Sequence, residues 1–161
     1  MDCGPVPFTI ARGYSTRTGN TMAKKTYHGS CHCGAVVFEA KIDLDKGTTR
    51  CNCSICTKAR AWFALVPADD VKIQKGENRL SDYTWVPRGR EANLHYRFCK
   101  TCGVRAFAQG DHDSLGGKFY AVAIAALNDI EQDADQFAKS IKYVDGRHDD
   151  YEHEPTDMRL M

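Results

Sequence analysis

Three cysteines fall within six residues in Cys51-Asn52-Cys53-Ser54-Ile55-Cys56. Residues i and i+2 of an extended segment point to the same side, so Cys51 and Cys53 can reach one common point. A tight turn must then bring Cys56 towards it. Two thiols one residue apart make a poor disulfide, because that bond has a demanding geometry. Three thiolates around a zinc ion need only sulfur–metal distances near ~2.3 Å and a roughly tetrahedral arrangement. Three protein ligands leave a fourth position vacant, which is what separates catalytic from structural zinc. The plainer alternative is a closed structural site whose fourth ligand lies elsewhere in the chain.

Two further cysteine pairs flank this stretch. Cys31-His32-Cys33-Gly34 repeats the one-residue spacing, and Cys99-Lys100-Thr101-Cys102-Gly103 has the form of a zinc knuckle. In each, a glycine follows where the chain must turn away from the metal. The seven thiols divide in two ways. Cys31, Cys33, Cys99 and Cys102 close one site and leave Cys51, Cys53 and Cys56 as an open one. Alternatively, Cys99 and Cys102 join two of the middle cysteines, leaving Cys31 and Cys33 spare. The first division is preferred because it uses every thiol in a chemically complete way. His32 points away from the metal of its neighbours on an extended segment. His95, His112, His148 and His153 have no ligand spacing to one another and are read as surface or hydrogen-bonded residues. Cys3, remote from the other thiols, is read as a free thiol. Asn52-Cys53-Ser54 matches a glycosylation acceptor, but in a cytosolic metal loop the match carries no weight.

The elements that must position these thiols are short strands. Ala35–Ala40, Trp62–Pro67, the alternating Val71 and Ile73, and Ser81, Tyr83 and Trp85 all read as strands. Asp43–Gly47 reads as a hairpin loop, Thr57–Ala61 as a short helix or turn, and Pro87–Arg90 as a turn. In Asn93–Phe98 the alternation sends Leu94, Tyr96 and Phe98 towards the core, and the strand delivers Cys99. Val104–Ala108 is the return strand, and residues 110–117 form a polar loop. Tyr120–Leu127 is the most apolar strand and is expected at the centre of a sheet. Asp129–Lys142 is helical in composition, with Ile130, Ala134, Phe137 and Ile141 on one face. Many short strands and one late helix predict a mainly antiparallel β domain with cysteines at strand ends and turns.

Composition narrows the function. A chain of 161 residues with 42% hydrophobic content fits one soluble domain with a sizeable core. A net charge of +1 and the lack of a basic stripe argue against nucleic acid and anionic membrane as partners. No segment approaches the ~18 apolar residues of a membrane span. Arg12, Arg17 and Asn20 interrupt any secretory apolar region in residues 1–23, and Met22 is a possible alternative start. The expected compartment is therefore a reducing cytoplasm, where close cysteines are metal ligands rather than disulfides. The domain is expected at residues 24–153, with an extension at 1–23 and a tail at 154–161.

The order Gly29-Ser30-Cys31-His32-Cys33-Gly34, then Cys51-Asn52-Cys53-Ser54-Ile55-Cys56, then Phe98-Cys99-Lys100-Thr101-Cys102-Gly103 resembles the glutathione-dependent formaldehyde-activating enzyme family, grouped with centromere protein V. The resemblance covers roughly residues 24–150. It implies a tent-like, mainly β fold with two Zn(2+) ions per chain. The structural zinc would lie on Cys31, Cys33, Cys99 and Cys102, and a catalytic zinc on Cys51, Cys53 and Cys56. It also implies a carbon–sulfur lyase that joins glutathione and formaldehyde into S-(hydroxymethyl)glutathione. The chemistry of the residues agrees with this. Three thiolates around zinc carry a formal charge of −1, and a coordinating thiol is deprotonated. Such a site suits holding a thiolate better than splitting water. Lys58, Arg60 and Arg105 are close enough in sequence to meet a ligand's carboxylates, although solvated surface is the ordinary reading of each. The competing function is a zinc-stabilised glutathione carrier or protein-binding module without catalysis.

Overall fold

The computed structural model describes residues 24–84, 94–159 and 161. The extension with Cys3 and Met22, and the expectations for Trp85, Pro87–Arg90 and Asn93, lie outside these residues. The described residues form ten strands in two sheets. β1 (Lys25–Ser30), β2 (Val37–Ile42) and β5 (Val71–Lys75) make a three-stranded antiparallel sheet in the order β1-β2-β5. The larger sheet contains β3 (Thr48–Cys51), β4 (Trp62–Pro67), β6 (Leu80–Thr84), β7 (Leu94–Cys99), β8 (Arg105–His112), β9 (Gly117–Ala123) and β10 (Ile141–Val144), in the order β10-β3-β4-β9-β8-β7-β6.

The apolar strand at β9 stands in the middle of the seven, as its composition requires, although it begins at Gly117 and gives way to a 3-10 turn at Ile124–Ala126. Two short helices complete the fold: α1 (Ser54–Ala59), which carries Cys56, and α2 (Ala134–Lys139). Ile141 belongs to β10 instead of extending α2, so the expected helical face stops at Phe137. β10 pairs with β3 in parallel, the one such pair among the described strands.

The core lies between the sheets. Phe38 of the small sheet meets Phe107 of the large one edge-on, with centroids 5.5 Å apart. Val36, Phe38, Val122, Ile124 and Phe107 are essentially inaccessible to water. Buried aromatic pairs contribute beyond the area they cover. Asp43–Gly47 does not close a hairpin. It carries the chain from β2 in one sheet to β3 in the other, through a 3-10 turn capped by the Asp43 carboxylate. The polar stretch expected at 110–117 is partly strand, because β8 runs on to His112 to pair with β9.

One expectation for β7 is reversed. Residues directly opposed on neighbouring strands share a face. Arg97 opposes Phe107, which packs on Phe38, so Arg97 is on the core side. Tyr96 opposes Ala108, which opposes Ala121, which opposes Leu65. Leu94 and Tyr96 therefore stand on the other face of the large sheet. Alternation misleads here because both faces of the sheet are half covered.

β3 must hold Cys51 in place, and its anchor is Thr48. This fully buried residue accepts a hydrogen bond from Trp62 Nε1 at 2.8 Å and lies 3.0 Å from Ser140 Oγ. Thr48→Val keeps the shape and removes the acceptor, leaving the indole N–H unpaired. It is expected to lower stability by about 1–3 kcal/mol in urea unfolding. Among the described residues, no helix is long and apolar enough to cross a membrane.

Candidate metal and thiol centres

Cys31 follows β1 directly, and Cys99 is the last residue of β7. Each begins a tight turn of the same construction. The Cys31 N–H donates to Val36 O, and the Cys99 N–H donates to Val104 O. Gly34 and Gly103 adopt φ of 67° and 74°, a region that side chains rarely enter, so these glycines let the turns close. The turns aim four sulfurs at one point. Cys33 Sγ lies 3.6 Å from Cys31 Sγ and 3.7 Å from Cys99 Sγ, and all four lie within 4.8 Å of one another. Tetrahedral sulfurs bonded to zinc at ~2.3 Å would stand ~3.8 Å apart. The backbone N–H groups of Val36 and Thr101 donate to Cys31 Sγ and Cys99 Sγ. Backbone donors from Cys102 and Thr101 bring the Cys99 thiol down to about 6, favouring the thiolate that metals bind. The donor set fits a soft divalent metal such as zinc.

Cys51, Cys53 and Cys56 form the second group, their sulfurs also within 4.8 Å. Cys51 ends β3, Cys53 caps α1, and Cys56 lies in its first turn. The short helix is what turns Cys56 back towards the other two. Hydrogen bonds from Cys51 and Cys56 bring the Cys53 thiol down to about 3. The bond to Cys53 pushes Cys51 up to about 11, and bonds to Cys51 and Cys53 push Cys56 up as well, so the trio concentrates its charge on one sulfur. Among the described residues, these two sets are the groups able to hold a metal, and no histidine joins either.

The surroundings of the second set come from distant parts of the chain. After β10, residues 145–151 pass over the three sulfurs as a strap. The Asn52 side chain fastens it, donating from Nδ2 to Asp145 Oδ1 at 2.6 Å and accepting from the Arg147 N–H at 2.8 Å. Asp145 O accepts from the His148 and Asp150 N–H groups, which curls the strap on itself. Gly146 is buried against the sulfurs. A Cβ there would lie 2.5 Å from Cys51 Sγ and 3.4 Å from Cys53 Cβ. Tyr96 and Tyr151 stand nearby. Burial first, then the negative sulfurs, hold both phenols protonated well above the usual range.

All seven cysteines named from the sequence fall into the two groups of the preferred division. Asn52, Gly146, Tyr96 and Tyr151 were not foreseen. Asn52 could be found from its place between two cysteines, whereas nothing local marks Gly146 or Tyr151. Lys58 and Arg60 are exposed, and Arg105 is half-buried.

Fold and centres together define a mainly β protein with two clusters of converging cysteines, one of four and one of three. The chain belongs to the glutathione-dependent formaldehyde-activating enzyme family, whose model matches residues 26–143. A crystal structure of a Rhodobacter sphaeroides protein is similar to it, with 28% identity and a TM-score of 0.55, over 66% of this chain and 94% of that one.

Proposed function

We propose that the chain is a zinc-dependent carbon–sulfur lyase joining glutathione and formaldehyde into S-(hydroxymethyl)glutathione. One zinc would be held by Cys31, Cys33, Cys99 and Cys102, and the other by Cys51, Cys53 and Cys56. The observation that carries the reading is that the second set converges with three sulfurs and no fourth ligand among the described residues. Family membership names the thiol and the aldehyde.

Zinc bound by the three cysteines would favour the thiolate form of an entering thiol. The rest falls to the chain and the reactants. Cys51, Cys53 and Cys56 fix where the ligand sulfur sits. The strap keeps Cys51 covered, and Tyr96 and Tyr151 present O–H donors beside the site. In the overall addition, a glutathione sulfur lone pair forms the new carbon–sulfur bond. The thiol's S–H proton is given up to solvent, the carbonyl π pair moves to oxygen, and that oxygen takes a proton from water or a side chain, so thiol and aldehyde sum to the product. The working domain is residues 24–153, with flanks at 1–23 and 154–161. That division is supported by β1 starting at Lys25 and by the hydrogen bonds of Asp150 to the Glu152 and His153 N–H groups. Cytoplasm is the assigned compartment, since reduced thiols suit it.

Titrating glutathione into fully loaded, cobalt-substituted protein is expected to change the thiolate-to-metal absorption. An unchanged spectrum at saturating glutathione rules out sulfur coordination at the centre. A changed spectrum without faster formation of S-(hydroxymethyl)glutathione makes the chain a carrier instead of an enzyme.

A further inference from the structure

We propose that Arg105 anchors a carboxylate of the thiol ligand bound at the three-cysteine centre, held in place over the ring of Tyr96 by a bulge in β8. This rests on the reading of that centre as a thiol site.

The bulge is visible in the strand register. Arg97 opposes Phe107 and Phe98 opposes Arg105, so Ala106 is an extra residue on β8. Under regular alternation, Arg105 would share the core face with Phe107, two positions on. An extra residue re-aims the side chain that precedes it. The Arg105 guanidinium accordingly lies 5.2 Å from the centroid of Tyr96, which belongs to the opposite face.

Cys51 opens on that same opposite face. Thr49 opposes Phe63, and Phe63 shares its face with Leu65, two residues further along. Leu65 leads through Ala121 and Ala108 to Tyr96. Cys51, two residues after Thr49, thus faces the side occupied by Tyr96 and Arg105. On that face the charges of Cys56, Cys53 and Cys51 reach the Tyr96 phenol, where Arg105 opposes them.

Arg105 has no carboxylate partner among the described residues. The ion pairs there engage Lys24, Lys25, Arg159 and four histidines. A half-buried guanidinium without a hydrogen-bonded side-chain partner among the described residues, on the face of a site that binds through thiolates, suits an anionic ligand that the cysteines alone would repel. The guanidinium is placed by its cation–π contact with Tyr96, and a planar fork of this kind can meet a carboxylate bidentately. A lysine could neither stack nor fork in this way. The ligand class is a thiol bearing a free carboxylate, which glutathione satisfies and a neutral thiol does not.

The test is calorimetric titration of the metal-loaded full chain with glutathione and with N-acetylcysteamine, a thiol without a carboxylate. Wild type is expected to bind glutathione more tightly. Arg105→Met is expected to weaken glutathione about tenfold or more while leaving N-acetylcysteamine unchanged. Arg105→Lys should restore only part of the loss, and it guards against a folding defect in the first variant. Metal content and thermal melts of both variants should match wild type. Equal weakening of the two thiols, or lost metal, would show that Arg105 serves the cysteines and overturn the assignment. So would wild-type binding that does not distinguish the thiols. If wild type binds neither thiol, the thiol-site reading fails together with this one.

Discussion

Cys99→Ser is expected to abolish cooperative thermal unfolding, or to lower stability by at least ~4 kcal/mol, while Cys53→Ser leaves a folded protein. The two cysteines differ in what they join. Cys31 and Cys33 follow a strand of the small sheet, whereas Cys99 ends a strand of the large one and Cys102 follows it. A metal held by all four ties the sheets together at the edge of their shared core, and Cys31 and Cys99 belong to that core. Binding of a structural zinc is worth about 10–16 kcal/mol in small zinc domains, and that energy is folding energy. Serine at position 99 removes a ligand and leaves a buried hydroxyl in its place. Cys53, by contrast, shares its centre with Cys51 and Cys56 from adjoining turns, so the span it closes is local. Thermal melts of zinc-loaded variants decide the matter. Equal losses at the two positions would reject the assignment of structural and open centres.

What was legible in the sequence was whatever the chain encodes within a few residues. A strand end, a cysteine, a turn and a glycine identify each knuckle, because metal-binding turns are local in backbone geometry. The apolar run of β9 announced its central position, because a strand covered on both faces needs apolar residues on both. The same fact made Tyr96 unreadable. With both faces of the large sheet half covered, apolar alternation on β7 could not say which face meets the core. The single-residue bulge at Ala106 turns Arg105 away from the face that regular alternation with Phe107 would give it. Helical periodicity in 129–142 ran past the end of α2 because pairing with β3 captured Ile141 as a strand. The strap over the second centre joins Asn52 to residues more than ninety positions away, a distance at which no local pattern speaks.

Gly146→Ala is expected to empty the three-cysteine centre without unfolding the protein. Gly146 needs no unusual φ, so the demand for glycine here is one of space. The added methyl carbon would lie 2.5 Å from Cys51 Sγ, about an ångström inside normal contact, and 3.5 Å from the Tyr151 ring. Either the sulfur or the strap must move. The strap is fastened at Asn52 through the carboxylate of Asp145 and the N–H of Arg147, the residues on either side of Gly146. Cys51 is held by β3, between β10 and β4. With both partners braced, the strain falls on the sulfur direction that a metal requires. Overpacking of this kind costs about 1–3 kcal/mol, far less than loss of the structural centre. Disturbing the shell around metal ligands lowers metal affinity about 10- to 100-fold. Elemental analysis after dialysis against a weak chelator should therefore fall from two metals per chain towards one, and glutathione should no longer perturb the cobalt spectrum. The melting curve should stay cooperative, because the four-cysteine centre lies outside the strap. Two retained metals with unchanged glutathione binding would mean that the strap yields freely and has no part in holding Cys51.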